Sequence, residues 1–523
     1  MNADMQFKTP ISAPTRIHHM LDRWVREQPQ APALRDAKIR LSYSQLDEAS
    51  RAAAEQLKSL GVRAGDRVLL VGENCVALGV LAMALSHLDA WVILANARLS
   101  DREIDEFISH ARPRRVLYTE QVSADAARHA MRHGAQAVSW DALGNIAVGP
   151  LDTETVPEPA FIEPTRQVAA MIYTSGTSGA PKGVMLSHAN LMFTATSIVK
   201  QRSIAPGDVS YCVLPMAHVV GLAAQFLGSM AGGAEVIFEP RFSPANAAKA
   251  LAEEGVTAFA GVPALYAKLL EWLRESGATW RAPRLRLITV AGAPLTSNLK
   301  TDVEALFGLP LHNGYGLTEC APTVAQTRSD AVRTDCAVGQ PIPGVDIRIV
   351  NPQGMDVNGG DIGELWVQSP GLMLGYYNND AATQQAINAD GWFNTGDLAR
   401  QESDGALHIV GRTKELIIRS GLNVYPVEVE QAINSHPEVV QSAVVGRSVE
   451  ANEEVVAFIE PTANSTLDAA GMQNYLRERL AAYKVPSDIR FLMQLPSSPT
   501  GKVLKGVLKV SAQEVDPLVS DAV

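Results

Sequence analysis

The sequence of 523 residues has only four cysteines, Cys75, Cys212, Cys320 and Cys336, with no CxxC pair and no Cys/His cluster near any of them. Disulfide frameworks and structural zinc sites need closer spacing, so these read as reduced thiols of a cytoplasmic protein. No block of five or more like charges occurs, and 45 basic against 56 acidic residues leave a net charge of -11. Nucleic acid and anionic membranes both require concentrated Lys and Arg, so neither is expected as the main partner. The N-terminal stretch lacks a basic region followed by an apolar one, and Leu518 to Val523 carry no prenylation or peroxisomal signal, so no export is expected. Nor is there a membrane span. The nearest approach, Val219 to Phe238, is interrupted by Gln225, Ser229, Gly232, Gly233 and Glu235, and reads as a buried helix running into a strand.

What is present is an apolar content of 46%, ample for a large core. At a typical domain size the length corresponds to about three to four domains or subdomains. Helical and strand patterns alternate: helix Arg16 to Glu27, strand Ala33 to Leu41, helix Ser44 to Leu60, strand Arg67 to Val71, helix Leu78 to Leu88, strand Ala90 to Leu94. The alternation continues through Arg115 to Tyr118, Val168 to Tyr173, Val209 to Leu214, Ala234 to Phe238, Ala258 to Ala260 and Leu287 to Val290, which is the signature of an α/β fold. Gly144 to Glu163, rich in Pro, Gly and acids, reads as a surface connection. Beyond residue 337 short β-rich pieces suggest a β-subdomain, and from Gly411 a compact α+β pattern begins, with a domain boundary expected at 411 to 414. The expected organisation is a large N-terminal domain, residues 1–411, of stacked α/β subdomains plus the β-rich subdomain, and a small α+β domain, residues 412–523.

The most informative segment is Thr174-Ser175-Gly176-Thr177-Ser178-Gly179-Ala180-Pro181-Lys182-Gly183, directly after an apolar strand. Glycines let backbone N–H groups approach an anion, hydroxyls add donors, and one lysine supplies charge, which is the mixture that polyphosphate binding needs. It is not a GxxxxGK[ST] loop: counting from Gly176, Pro181 stands where the second glycine belongs, and Gly183 where Ser or Thr should follow the lysine. That excludes a P-loop kinase or ATPase. Val184 to Leu186 look like a strand and Ser187 like the N-cap of a helix, so the loop is expected inside a hairpin.

This decapeptide resembles the phosphate loop of the adenylate-forming superfamily, which includes acyl- and aryl-CoA synthetases, luciferases and peptide-synthetase adenylation domains. Further matches follow in the family's order: Pro215 to His218, Ala291 to Leu295, Asn313 to Glu319, Gly339 to Pro341, Gly391 to Asp397, Gly411 to Glu415, and Pro499 to Lys502. The resemblance covers nearly the whole chain. It implies an ATP- and Mg²⁺-dependent ligase that makes an acyl-AMP, releases pyrophosphate and transfers the acyl group to coenzyme A, with the C-terminal domain as a mobile lid. A homodimer is compatible with it.

Residue by residue, the resemblance implies that Thr174 to Gly179 and Lys182 hold phosphates, that Glu319 ligates Mg²⁺, and that Thr318 contacts the α-phosphate. Tyr315, between Gly314 and Gly316 and after Asn313, resembles the ring on which adenine stacks, with Gly292, Ala293 and Pro294 lining the other side. Asp397 resembles the ribose-binding carboxylate, and Arg412 a second ribose or phosphate contact. Lys502, on a Pro/Gly loop, resembles the lysine that bridges carboxylate and α-phosphate; Lys505 and Lys509 follow at helical spacing and are expected to face solvent. His218 resembles the gate between acyl pocket and thiol channel, Lys414 the hinge, and Gly421 part of the thiol channel. Ile418 stands where plant aryl-CoA ligases carry a lysine, and Asn423 replaces their glutamine, departures that touch the rotated state rather than the reaction class.

A same-fold alternative is a stand-alone adenylation enzyme loading a carrier-protein phosphopantetheine; another class altogether is a nucleotide-binding protein without catalysis. His129 and His133, four apart on a helix with no Glu between them in a metalloprotease pattern, are expected on a solvated face. The expected pocket walls, His218 to Leu222, Val262, Gly292 and Cys320 to Val324, offer no cation, which favours a fatty or aromatic monocarboxylic acid over a dicarboxylate. Gly221 is expected at the pocket floor.

Overall fold

The computed structural model describes residues 14–174, 181–277, 280–450, 452–462, 465–497 and 503–514. The chain forms two compact units, one of residues 1–241 with 318–322 and 370–380, the other of residues 242–317 with 323–369 and 381–523.

The first unit is built on an eight-stranded sheet in the order Gly375–Tyr376, Lys182–Ser187, Val168–Thr174, Trp91–Asn96, Arg67–Gly72, Arg115–Tyr118, Gly144–Val148, Gln136–Trp140. Its central strands, Arg67–Gly72 and Trp91–Asn96, run parallel and are buried at every residue. Strands covered on both faces read as continuous apolar runs rather than alternating ones, as RVLLVG and WVILAN do. Helix Val76–His87 is buried at every residue but His87. Three helices among the described residues begin with reciprocal caps: Ser42 and Gln45 open Tyr43–Ser59, Ser100 and Glu103 open Asp101–Ala111, and Ser187 and Asn190 open His188–Arg202. Strands Arg40–Ser42, Pro32–Arg35, Glu235–Phe238 and Val209–Cys212 lie side by side in that order. The apolar stretch after residue 219 forms a π-helical segment, Val220–Leu227, continued by Gly228–Gly232 and the strand Glu235–Phe238.

The second unit begins with parallel strands Ala258–Gly261, Leu287–Val290 and Leu311–Gly316, extended antiparallel by Thr323–Gln326 and Gln340–Pro341. A four-stranded antiparallel sheet follows, Asp346–Val350, Gly363–Gln368, Phe393–Gln401 and Leu407–Arg412. The α+β segment has a three-stranded sheet, Val439–Val449, Asn452–Pro461 and Asp488–Phe491. Side chains alternate across it: Val444, Val455, Ala457 and Ile459 pack in one buried cluster, Ala443, Val445, Val456 and Phe458 in another with Leu508 and Ala512 of helix Lys505–Gln513.

Several expectations need correction. Residues 33–41 form a hairpin, Pro32–Arg35 against Arg40–Ser42, rather than one strand, and Leu21 separates a 3₁₀ turn, Ile17–Met20, from helix Asp22–Glu27. Gly144–Val148 is a sheet strand with a buried end, so the surface connection starts later. His129 is fully buried, its Nε2 3.1 Å from the carbonyls of Ala97 and Leu99, and His133 lies 2.6 Å from the Tyr118 hydroxyl; theirs is not a solvated face. The four cysteines are free. Burial pushes the Cys75 thiol up to about 12 and raises that of Cys320 well above its ordinary value, where the Glu319 carboxylate adds to the effect. No helix among the described residues is long and apolar enough to cross a membrane.

Candidate active site

Strands Val168–Thr174 and Lys182–Ser187 pair antiparallel with Thr174 opposite Lys182, so the expected hairpin flanks form. Ser175, Gly176, Thr177, Ser178 and Gly179 lie outside the described residues, as does Lys502. At the hairpin base the ammonium of Lys182 sits 4.8 Å from the centroid of the Tyr376 ring. Tyr376 is brought there by Gly375–Tyr376, a two-residue strand pairing Gly375 with Met185 and Tyr376 with Val184. Backbone bonds from Leu374 N to Met185 O and from Tyr377 N to Gly183 O, 2.9 and 2.8 Å, secure it on both sides.

The phenol of Tyr376 donates to Oε1 of Glu319 at 2.9 Å, and Met373 N donates to the Glu319 carbonyl at 2.8 Å. Burial, and then the neighbouring Glu319 carboxylate, raise the Tyr376 pKa, so it stays a neutral donor. Thr318 and Glu319 form one 3₁₀ turn with Cys320, Thr318 being buried. Among the described residues Oε2 of Glu319 accepts no hydrogen bond, and a carboxylate oxygen suits a hard divalent cation such as Mg²⁺. Tyr376 escaped the sequence reading because a two-residue strand leaves no periodic trace.

His218 stands after a tightly held turn. Asn74, buried, donates from Nδ2 to the carbonyls of Cys212 and Leu214 at 3.1 and 2.9 Å and accepts from Met216 N at 2.8 Å. His218 N donates to Pro215 O at 2.9 Å, and its Nδ1 accepts from Val220 N at 3.3 Å. Gly221 does not face a pocket: a Cβ there would lie 2.2 Å from the carbonyl oxygen of Pro215. The expectation that it forms a pocket floor is therefore replaced by backbone contact.

In the second unit, Asp397 is buried and receives two donors, the Tyr315 hydroxyl at 2.5 Å and Arg412 Nε at 3.0 Å. The carboxylate, phenol and guanidinium that the motifs assigned to one nucleoside thus meet, although they come from strands Leu311–Gly316, Phe393–Gln401 and Leu407–Arg412. Asn313 spends its side chain on backbone, Nδ2 donating to Cys336 O and Ala337 O at 3.0 and 3.3 Å. Gly292 adopts a φ of +86°, a left-handed conformation that suits glycine at the Gly292-Ala293-Pro294 turn.

Lys414 lies exposed in the 3₁₀ turn Thr413–Glu415, and Gly421, φ +79°, in the exposed turn between Ile417–Arg419 and Leu422–Val424. Lys505 is not solvent-facing: its Nζ lies 3.0 Å from Glu415 and 2.8 Å from Glu430. Burial works against its charge, but the two carboxylates, Glu430 foremost, raise its pKa overall.

Residues 21–377 match the family model of AMP-binding enzymes, and residues 428–502 that of the AMP-binding enzyme C-terminal domain. A feruloyl-CoA synthase of Amycolatopsis is 32% identical, with 93% of this chain and 97% of that protein covered. An indoleacetate–CoA ligase of Aromatoleum aromaticum is 33% identical, covering 94% and 96%. Among solved structures, ATP-bound MatB from Rhodopseudomonas palustris superposes with a TM-score of 0.84 at 30% identity, covering 96% of this chain and 99% of that one. A family model that spans most of the chain, relatives aligned nearly end to end and a shared α/β architecture agree with the ordered motifs: this chain belongs to the AMP-binding enzyme family, within the adenylate-forming superfamily.

Proposed function

We propose that this chain activates a fatty or aromatic monocarboxylic acid with ATP and Mg²⁺, releases pyrophosphate, and passes the acyl group to coenzyme A. Its enzyme class is an AMP-forming acid–CoA ligase. The observation that carries the reading is the meeting of Lys182 and Glu319 at Tyr376, at the end of the strand pair Val168–Thr174 and Lys182–Ser187.

A carboxylate cannot acylate a thiol at neutral pH, because its oxygen is a poor leaving group. In the first step a carboxylate oxygen attacks the α-phosphorus, the bond to the β-phosphate oxygen breaks, and pyrophosphate leaves. In the second the thiolate of coenzyme A attacks the acyl carbon and AMP leaves. The first step crowds negative charge on the α-phosphate, and preorganised cations and donors lower that barrier most. Lys182 and the Thr318 hydroxyl serve there, and Asp397 with Arg412 holds the ribose while Tyr315 stacks on the base. Mg²⁺, when bound through Glu319, supplies further charge neutralisation on the phosphates.

Lys502 completes the adenylation site in this reading. Residues 412–523 act as a lid on residues 1–411, turning about Lys414 to exchange Lys502 for the Gly421 turn when the thiol enters, with His218 as the gate. We place the reaction in the cytoplasm, carried out by a monomer or a homodimer.

The test is a pyrophosphate-release screen over fatty, aryl and short acids, with AMP formation followed with and without coenzyme A. Pyrophosphate release together with CoA-dependent AMP formation supports the reading. Release that free coenzyme A does not accelerate favours a carrier-protein acceptor, and no release with any acid removes the catalytic reading.

A further inference from the structure

We propose that Tyr376 is a positioning residue for adenylation: its hydroxyl orients the Glu319 carboxylate towards the metal while its ring holds the Lys182 ammonium apart from that carboxylate. The inference rests on the roles given above to Glu319 and Lys182.

Two opposite charges close together ordinarily pair, and a Lys–Glu pair at this place would spend both on each other before ATP arrived. Among the described residues Lys182 makes no ion pair with Glu319; its ammonium lies over the Tyr376 ring, and Glu319 Oε1 accepts from the phenol of that same ring. One neutral side chain thus satisfies the cation through its face and the anion through its edge. The ring cannot drift, because residues 374–377 are bonded to the strand that begins with Lys182, at Met185 on one side and Gly183 on the other. Met373 N, bonded to the Glu319 carbonyl, fixes the metal-ligand turn to the same segment. Segment 373–377 therefore sets the spacing of the two charges. A phenol donating to one oxygen of a ligating carboxylate fixes its orientation and leaves the other oxygen for the cation, which is how outer partners tune metal sites.

The experiment measures Mn²⁺ bound to the full-length protein with α,β-methylene-ATP, from loss of the free Mn²⁺ electron paramagnetic resonance signal, and separately the affinity for the analogue without metal. Tyr376→Phe keeps the ring and removes the hydroxyl. It should weaken Mn²⁺ binding on the order of 10-fold, with metal-free analogue affinity unchanged. Tyr376→Leu removes the ring as well and should weaken both. Mn²⁺ affinity within about twofold of the parent in Tyr376→Phe overturns the orienting role, and unchanged metal-free affinity in Tyr376→Leu overturns the role towards Lys182. Glu319→Gln separates this inference from the reading beneath it. If Glu319→Gln leaves Mn²⁺ affinity intact, Glu319 is not the ligand and both fall; if Glu319→Gln weakens it and Tyr376→Phe does not, Tyr376 alone loses its role.

Discussion

The Tyr315 hydroxyl donates to Asp397 Oδ2 at 2.5 Å, while Oδ1 accepts from Arg412 Nε at 3.0 Å. Both oxygens of a buried carboxylate are thus oriented before any ribose arrives. Hydrogen bonds to charged groups contribute roughly 1.5–3 kcal/mol, so Asp397→Asn should raise the KM for ATP roughly 10- to 100-fold in an ATP–pyrophosphate exchange assay. Tyr315→Phe, which keeps the ring, should cost less. An unaltered KM in Asp397→Asn would remove it from the nucleoside site.

Separating the half-reactions tests the two lysines. Lys502→Ala should slow acyl-AMP formation by about 10²- to 10³-fold, by analogy with the loss of one preorganised transition-state donor, and largely spare thioester formation from supplied acyl-AMP. Lys414→Pro should do the reverse, because a fixed φ obstructs rotation about the hinge. The check is single-turnover acyl-AMP formation measured beside coenzyme A consumption. Equal damage to both steps in either variant contradicts the assigned division.

Gly221 gives a prediction of stability rather than specificity. Its missing Cβ would meet Pro215 O at 2.2 Å, backbone that no rotamer change relieves. Gly221→Ala should therefore lower stability by at least about 1–3 kcal/mol, the usual range of overpacking, and Gly221→Leu by more. Urea midpoints decide it; a Gly221→Ala protein as stable as the parent means the 214–221 turn yields easily.

Acid should loosen the N-terminal part of the first unit. The His18 ring centroid lies 3.8 Å from that of His87, tilted, and 4.2 Å from that of His19, edge-on, and His188 Nδ1 accepts from Ile17 N at 3.2 Å. Burial foremost lowers His18 to about 2, His87 to about 4 and His188 to about 3, aided by the neighbouring histidines and by Arg51 or Arg16, while Asp47 opposes the shift at His87. The unfolded chain binds protons near pH 6.5 and the folded one does not, so stability is intact above about 6.5 and falls as pH drops towards these lowered values. Buried His188 alone can contribute up to about 1.4 kcal/mol per pH unit in that window. Urea midpoints at pH 7, 6 and 5 should decline and the decline should shrink in His18→Gln; a flat profile contradicts the coupling.

Substrate size carries the last prediction. For a monocarboxylic series, kcat/KM should rise with apolar length until the pocket is full, each buried methylene contributing about 0.8 kcal/mol. Malonate and oxalate should be poor, because a second carboxylate left unpaired costs several kcal/mol. A best substrate bearing two carboxylates refutes this.

Much of this was legible in the sequence for definite physical reasons. Continuous apolar runs such as Arg67–Gly72 announce strands buried on both faces, and Ser187 before a helical pattern announces a cap. The apolar run before Thr174 and the strand pattern after Lys182 announced the pair of strands that flanks the Thr/Ser/Gly stretch. What stayed hidden depends on single side chains meeting distant backbone: Asn74 on residues 212–216, His129 on Ala97 and Leu99, Lys505 on Glu415 and Glu430. None of these leaves a periodic mark, and Tyr376 is tied to its neighbours by only two paired residues. Gly221 misled because a glycine beside a candidate gate looks the same in sequence whether it faces a ligand or a carbonyl.

The chain is tied down on both sides of positions 498–502. Ser497 and Val503 form an antiparallel bridge, Leu504 N donates to Pro496 O at 2.8 Å, and Lys505 is tied to Glu415 and Glu430. Residues 496–497 and 503–505 are thus sewn to the α+β segment at neighbouring points, like both ends of a strap stitched to one piece of cloth. Any displacement of that segment carries the two stitches together.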